Sequence, residues 1–175
     1  ALVHERGIIH RDLKPENVYL AVAHDGRVVP KLLDFGIAKL LEGSSVQTQT
    51  GSMLGTPGYM APEQMRGISA LTPAADVWSM GVILFRALAG RLPYAADPNP
   101  TTMIMTMLTA EPPRLVELAP DAPPSIAAAI DLALKRSPDT RHRDMHELCE
   151  ALLEGARADG IDVEPPGAAL PPGVV

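Results

Sequence analysis

A single cysteine, Cys149, is all that this 175-residue chain contains, so no disulfide can close within it. A reducing compartment is the natural setting for such a chain, and a cytoplasmic location is the expectation. Basic charge is also short: 15 Lys and Arg against 21 Asp and Glu leave a net charge of −6. That balance argues against a nucleic-acid partner held by a diffuse basic surface. No run approaches the ~20 apolar residues of a membrane span. The most apolar stretch, Val77 to Gly90, is interrupted by Ser79 and Arg86 and reads as a buried helix, so no membrane contact is expected of this segment. The first residues lack the basic-then-apolar order of a signal peptide, and no internal repeat is visible.

What is present fits one domain large enough to bury a core. Pro165, Pro166, Pro171 and Pro172 crowd the end of the chain among small residues. Such a stretch cannot build a packed face, which places a folded domain over 1–158 and a flexible tail or linker over 159–175.

Near the start, the polar stretch His10 to Asn17 stands between Gly7-Ile8-Ile9 and Val18-Tyr19-Leu20. Two β-prone runs then surround Asp25-Gly26, a strong hairpin signal. Centring the turn between those two residues sets Asn17 opposite Asp34, although Pro30 allows the register to slip by one. An amide oxygen and a carboxylate at one spot form a hard-oxygen site of the kind Mg²⁺ takes. Spacing alone leaves both residues equally readable as ordinary turn or cap residues.

Further on, Thr72 is expected to cap a helix that opens with Pro73, stays apolar nearly all round from Val77 to Leu88, and ends at Gly90. Met103, Met105 and Met107 cannot share one helix face, so packing is their simplest use. Two more amphipathic helices are expected over Ser125 to Lys135 and Arg143 to Ala156. His142 and His146 stand four apart, as in some metal sites, but only Cys149 offers a third ligand nearby. Solvated helix residues are the simpler reading.

Five motifs then stand in order: His10-Arg11-Asp12-Leu13-Lys14-Pro15-Glu16-Asn17; Asp34-Phe35-Gly36; Gly55-Thr56-Pro57-Gly58-Tyr59-Met60-Ala61-Pro62-Glu63; Asp76-Val77-Trp78-Ser79-Met80-Gly81; and Arg141 after Lys135 to Thr140. Together they resemble eukaryotic-type (Hanks-type) serine/threonine protein kinases of the bacterial kind, over residues 1 to 156. Lys14 two residues after Asp12, and Thr56 before Pro57, follow the serine/threonine rather than the tyrosine pattern. The resemblance implies a mainly α fold: a kinase C-terminal lobe, a helical bundle with a small β-hairpin carrying the catalytic and metal-binding loops.

The same resemblance implies roles. Asp12 accepts or orients the proton of a substrate hydroxyl, and Lys14 lies over the γ-phosphate of ATP. Asn17 and Asp34 hold Mg²⁺. His10 and Phe35 pack and brace, and Gly36 lets the chain turn. Glu63 pairs with Arg141, and Asp76 reaches back to the catalytic-loop backbone. Thr56 faces the substrate. Arg11 before Asp12 marks control by activation-loop phosphorylation, with Thr48 and Thr50 as the expected phosphoacceptors. Protein substrates and a trans-autophosphorylation dimer are the expected partners.

The family also uses a glycine-rich phosphate loop and a strand lysine paired with a helix glutamate. Neither appears in these 175 residues. The expectation is therefore a C-terminal lobe whose N-terminal lobe is missing, inactive and poorly soluble alone. A catalytically silent binding or scaffold module and a functionless remnant are the alternatives.

Overall fold

Residues 3–22, 28–33, 57–68, 70–95, 97 and 99–163 are described by the computed structural model of the chain. Asp34, Phe35, Gly36, Thr48, Thr50 and Thr56 lie outside the described residues. Short 3-10 turns at His4–Arg6 and Pro15–Asn17 precede a hairpin of β1 (Val18–Val22) and β2 (Val28–Leu32). After another 3-10 turn at Pro57–Tyr59 come α1 (Pro62–Met65), α2 (Ala74–Ala89), α3 (Pro100–Thr109) and α4 (Leu115–Leu118). The order closes with α5 (Pro124–Ala133), a 3-10 turn at Pro138–Thr140 and α6 (Met145–Ala158).

Apolar residues crowd most of the circumference of α2, so water has no face to occupy and the helix becomes the axis of the core. Ala75, Val77, Trp78, Val82 and Phe85 are wholly buried, and α4, α5 and α6 pack around them. At Gly81 a Cβ would stand 3.0 Å from the Ala133 Cβ, so glycine is what lets α5 come this close. Two expectations for α2 need correction. Thr72 caps with its carbonyl, which accepts the Ala75 N–H at 3.0 Å; its side chain caps nothing, because Pro73 already has helical dihedrals and becomes the N-cap. The apolar belt is also shorter than expected: Arg86, Ala87 and Leu88 are exposed, as the last turn leaves the core before Gly90 ends the helix at φ +72°.

The later helices keep their places with shifted ends. Pro124 opens α5, since proline suits a first turn. Asp144 starts α6, its carboxylate accepting the His146 and Glu147 N–H groups. On α3, Met103 and Met107 are buried four residues apart while Met105 points to solvent. His142 is not a solvated helix residue: it is buried ahead of α6, with Nε2 3.1 Å from the Ala129 carbonyl. His146 is exposed beside Glu150, and no group of three metal-ligating side chains occurs among the described residues.

The hairpin register also differs from expectation by one. Val18 pairs with Leu32 and Val22 with Val28, leaving residues 23–27 between the strands. Asn17 therefore faces Leu33, whose N–H donates to the Asn17 carbonyl at 2.9 Å, and Asp34 is the next residue along. Pro30 accounts for this. Alternation from that bond puts Leu20 and Pro30 at a non-hydrogen-bonded pair, where the missing proline N–H costs the ladder nothing. Tyr19, Leu20, Val22 and Val28 are all exposed on this hairpin.

Candidate active site

Leu13, only 3% exposed, plugs the loop of residues 10–17 into the core, while Asp12 and Lys14 on either side stay partly exposed. Pro15 then starts the 3-10 turn that carries Asn17 inward. The buried Asn17 side chain donates through Nδ2 to the Asp12 carbonyl at 2.8 Å, and approaches the Asp12 carboxylate at 3.4 Å. The Lys14 ammonium stands 3.3 Å from Asp12 Oδ2. Asp12, Lys14 and Asn17 thus form one mostly buried cluster of a carboxylate, a point cation and an amide. With its nitrogen committed to Asp12, the Asn17 amide presents Oδ1 as the atom suited to a hard cation.

Behind the loop, both carboxylate oxygens of buried Asp76 take backbone donors: His10 N–H at 2.8 Å and Arg11 N–H at 2.9 Å. Arg11 is the one non-glycine residue with positive φ among the described residues, at +66°. A side chain in that region costs about 1 kcal/mol or more, so the Asp76 bonds hold a strained backbone in place. His10 braces the other side. Its Nδ1 accepts the Asp12 N–H at 3.3 Å, which leaves the proton on Nε2, 3.2 Å from the Leu33 carbonyl. The loop of residues 10–17 is thereby tied to the residue just before Asp34.

Two contacts were not foreseen. Gln64 on α1 donates to the Arg11 carbonyl at 2.9 Å while its Oε1 accepts the Ala61 N–H at 3.0 Å. His4 reaches Asp76 Oδ2 through Nε2 at 2.9 Å. The sequence carries a faint sign of the first, a glutamine at the third position of a helix opened by proline. It carries no local sign of the second, whose partners are separated by 72 residues.

A small pocket beside the loop is lined by Arg11, Asp12, Leu13, Lys14, Tyr59, Met60 and Ser79. The exposed Arg86 guanidinium donates to the hydroxyl of Tyr59, a bond that raises the arginine pKa above its usual value. The Ser79 hydroxyl donates to the Tyr59 carbonyl at 2.8 Å. Beneath α1, buried Arg141 grips Glu63 bidentately at 2.7 and 2.8 Å, with its guanidinium 4.9 Å over the Trp78 ring. Away from the site, burial pushes the Tyr94 phenol up to about 12.

A family model described as the protein kinase domain matches residues 1–157. The chain belongs to the protein kinase family. It is 37% identical over 174 residues to the serine/threonine-protein kinase PknA of Mycobacterium tuberculosis, which covers 97% of this chain and 38% of that protein. It is 35% identical to the serine/threonine-protein kinase Pkn1 of Myxococcus xanthus, over 95% of this chain and 24% of the relative. A probable serine/threonine-protein kinase of Thermomonospora curvata, PkwA, is 40% identical over 141 residues, 81% of this chain and 17% of its own. These are bacterial Hanks-type kinases, and this kinase chain spans well under half the length of each. Its helical lobe and two-stranded hairpin agree with the family's fold. No helix among the described residues is long and apolar enough to cross a membrane.

Proposed function

We propose that this chain supplies the catalytic floor of a serine/threonine protein kinase, transferring the γ-phosphate of ATP to hydroxyl groups on proteins. The observation that carries this reading is the Asp12–Lys14–Asn17 cluster, joined at 2.8 to 3.4 Å and backed by Asp76. As the substrate oxygen bonds to phosphorus and the bond to the β-phosphate breaks, the Asp12 carboxylate takes the hydroxyl proton. Lys14 places positive charge where the transferring oxygens gather charge. Asn17, together with Asp34, is assigned to hold Mg²⁺, which when bound neutralises phosphate oxygens. The amide oxygen of the buried Asn17 side chain, near a carboxylate, is the donor chemistry such an ion takes.

Arg11 is assigned to a phosphate on Thr48 or Thr50, and Thr56 to the substrate side. The catalytic unit is placed in residues 1–158, with 159–175 as a linker, in a cytoplasmic setting. Roofing of the nucleotide is assigned to a separate N-terminal lobe, because these residues contain no glycine-rich loop. Two chains phosphorylating one another would load the activation loop.

The test joins residues 1–158 to a nucleotide-binding lobe of the family and supplies radiolabelled ATP with Mg²⁺. Label on serine or threonine of a general acceptor protein, lost on chelation, is the expected result. Stable binding of acceptor proteins with no transfer would favour the scaffold reading instead.

A further inference from the structure

The last turn of α3 runs into two prolines. Were the helix to continue, the Leu108 and Thr109 carbonyls would take the amides of residues 112 and 113, but Pro112 and Pro113 have none. One side chain from beyond α5 closes both. Arg136 donates through Nη2 to the Leu108 carbonyl and through Nη1 to the Thr109 carbonyl, the latter at 3.1 Å. The next carbonyl, Ala110, accepts the Tyr94 hydroxyl at 3.0 Å. Three consecutive carbonyls are thus held by two residues distant in the chain, and the cation suits the negative end of a helix.

The same two residues are tied to the site's surroundings. Leu92, two residues before Tyr94, packs with Met103 of α3 against Gly58. A Cβ on Gly58 would stand 3.0 Å from Leu92 Cδ1 and 3.2 Å from Met103 Cε, so the Pro57–Tyr59 turn rests its backbone directly on them. On the other flank, the Arg136 carbonyl accepts Arg141 Nη2 at 3.0 Å, and Arg141 grips Glu63 on α1. Tyr59 and Met60 then line the pocket beside Asp12 and Lys14, whereas Asn17 is not among its described walls.

We propose that Arg136 and Tyr94 are positioning residues for the acceptor side of the site. By closing the end of α3 they fix the helix on which the Pro57–Tyr59 turn rests, and so the Tyr59–Met60 wall beside Asp12. Neither residue lines that pocket; both act through α3. The kinetic consequence rests on the phosphoryl-transfer reading, but the placement of the turn does not.

The test removes the donors one at a time. Arg136→Met keeps an unbranched apolar stem and deletes both carbonyl bonds, and Tyr94→Phe deletes only a hydroxyl. Glu111→Gln is the control, because it removes the carboxylate 3.6 Å from Arg136 Nη1 and leaves the carbonyl bonds in place. Amide hydrogen exchange is measured in residues 1–175 by NMR. Two amides report: Ala110, which donates to Thr106 at the end of α3, and Met60, which donates to Pro57 across the turn. Arg136→Met is expected to speed both about tenfold and Tyr94→Phe about threefold or more. Glu111→Gln should leave both within about twofold, as should all three variants for the Leu148 amide on α6.

Faster exchange at Ala110 with Met60 unchanged would overturn the proposal, since the clasp would then be local to α3. Equal effects of Arg136→Met and Glu111→Gln, or equal acceleration at Leu148, would also overturn it. In the joined catalytic domain, Arg136→Met should raise KM for the acceptor protein about fivefold, with kcat and KM for ATP within about twofold. An unchanged acceptor KM, or an equal rise for ATP, contradicts the assignment to the acceptor side. If the unsubstituted domain transfers no phosphate, the phosphoryl-transfer reading falls, while exchange at Met60 still decides the clasp.

Discussion

Asp76 Oδ1 holds the Arg11 N–H at 2.9 Å, and Arg11 is held at φ +66° by that bond and its neighbour at His10. A residue on the central helix thus fixes the backbone conformation directly before Asp12. Asp76→Asn keeps the shape but loses one acceptor oxygen, and is expected to cost about 1.5–3 kcal/mol in urea unfolding. Arg11→Gly relieves the positive φ, so the same change should cost less in that background. Additive losses in the double mutant would show that the two are not coupled.

The Glu63–Arg141 pair lies wholly inside the protein and is bidentate. Glu63→Ala leaves a guanidinium buried without its counter-charge, an expected loss of about 3–5 kcal/mol. Thermal unfolding of Glu63→Ala and of an apolar double replacement would distinguish the cost of the orphaned charge from the worth of the pair. The double replacement should be the milder of the two.

At the head of α6, Asp144 accepts from Glu147 N–H and His146 N–H at 3.0 and 2.8 Å. The Glu147 bond chiefly holds its carboxyl below the usual value of 3.8. A depressed folded pKa means stability that is present above the unfolded value and lost as pH falls through the folded one. Asp144→Ala should therefore cost about 1 kcal/mol near neutral pH, with the gap closing below about pH 4. Urea midpoints of both proteins across that range measure it.

Gly155 opposes helix propensity and close packing directly. Alanine there would gain up to about 1 kcal/mol as a helix former. Its Cβ, however, would meet the Ser125 carbonyl carbon at 3.0 Å and the Ile126 nitrogen at 3.1 Å, backbone atoms that cannot rotate away. Gly155→Ala is expected to destabilise by about 1–2 kcal/mol net. A higher melting temperature would refute this.

The residues best read from sequence were those whose partners lie within a few positions or within a motif. The α2 axis followed from its apolar circumference, and the cluster of Asp12, Lys14 and Asn17 lies within six consecutive residues. The hairpin was legible but its register was not, because Asp-Gly suggests a two-residue turn while Pro30 places a constraint of its own on the ladder. Long-range polar contacts were the least visible. His4, Asp76 and Met145 meet only after the helices have packed, and nothing in the neighbourhood of His4 in the chain announces it. His142 shows the same limit: its burial is decided by α5, not by its own surroundings in sequence.

The most direct measurement is the turnover of Asp12→Asn in the joined catalytic domain, beside the exposed control Asp139→Asn. If Asp12 takes the hydroxyl proton, kcat for transfer to a serine or threonine acceptor should fall about 10²–10⁴-fold with folding intact, and the control should match the parent. Turnover of Asp12→Asn within a few-fold of the parent would contradict the account.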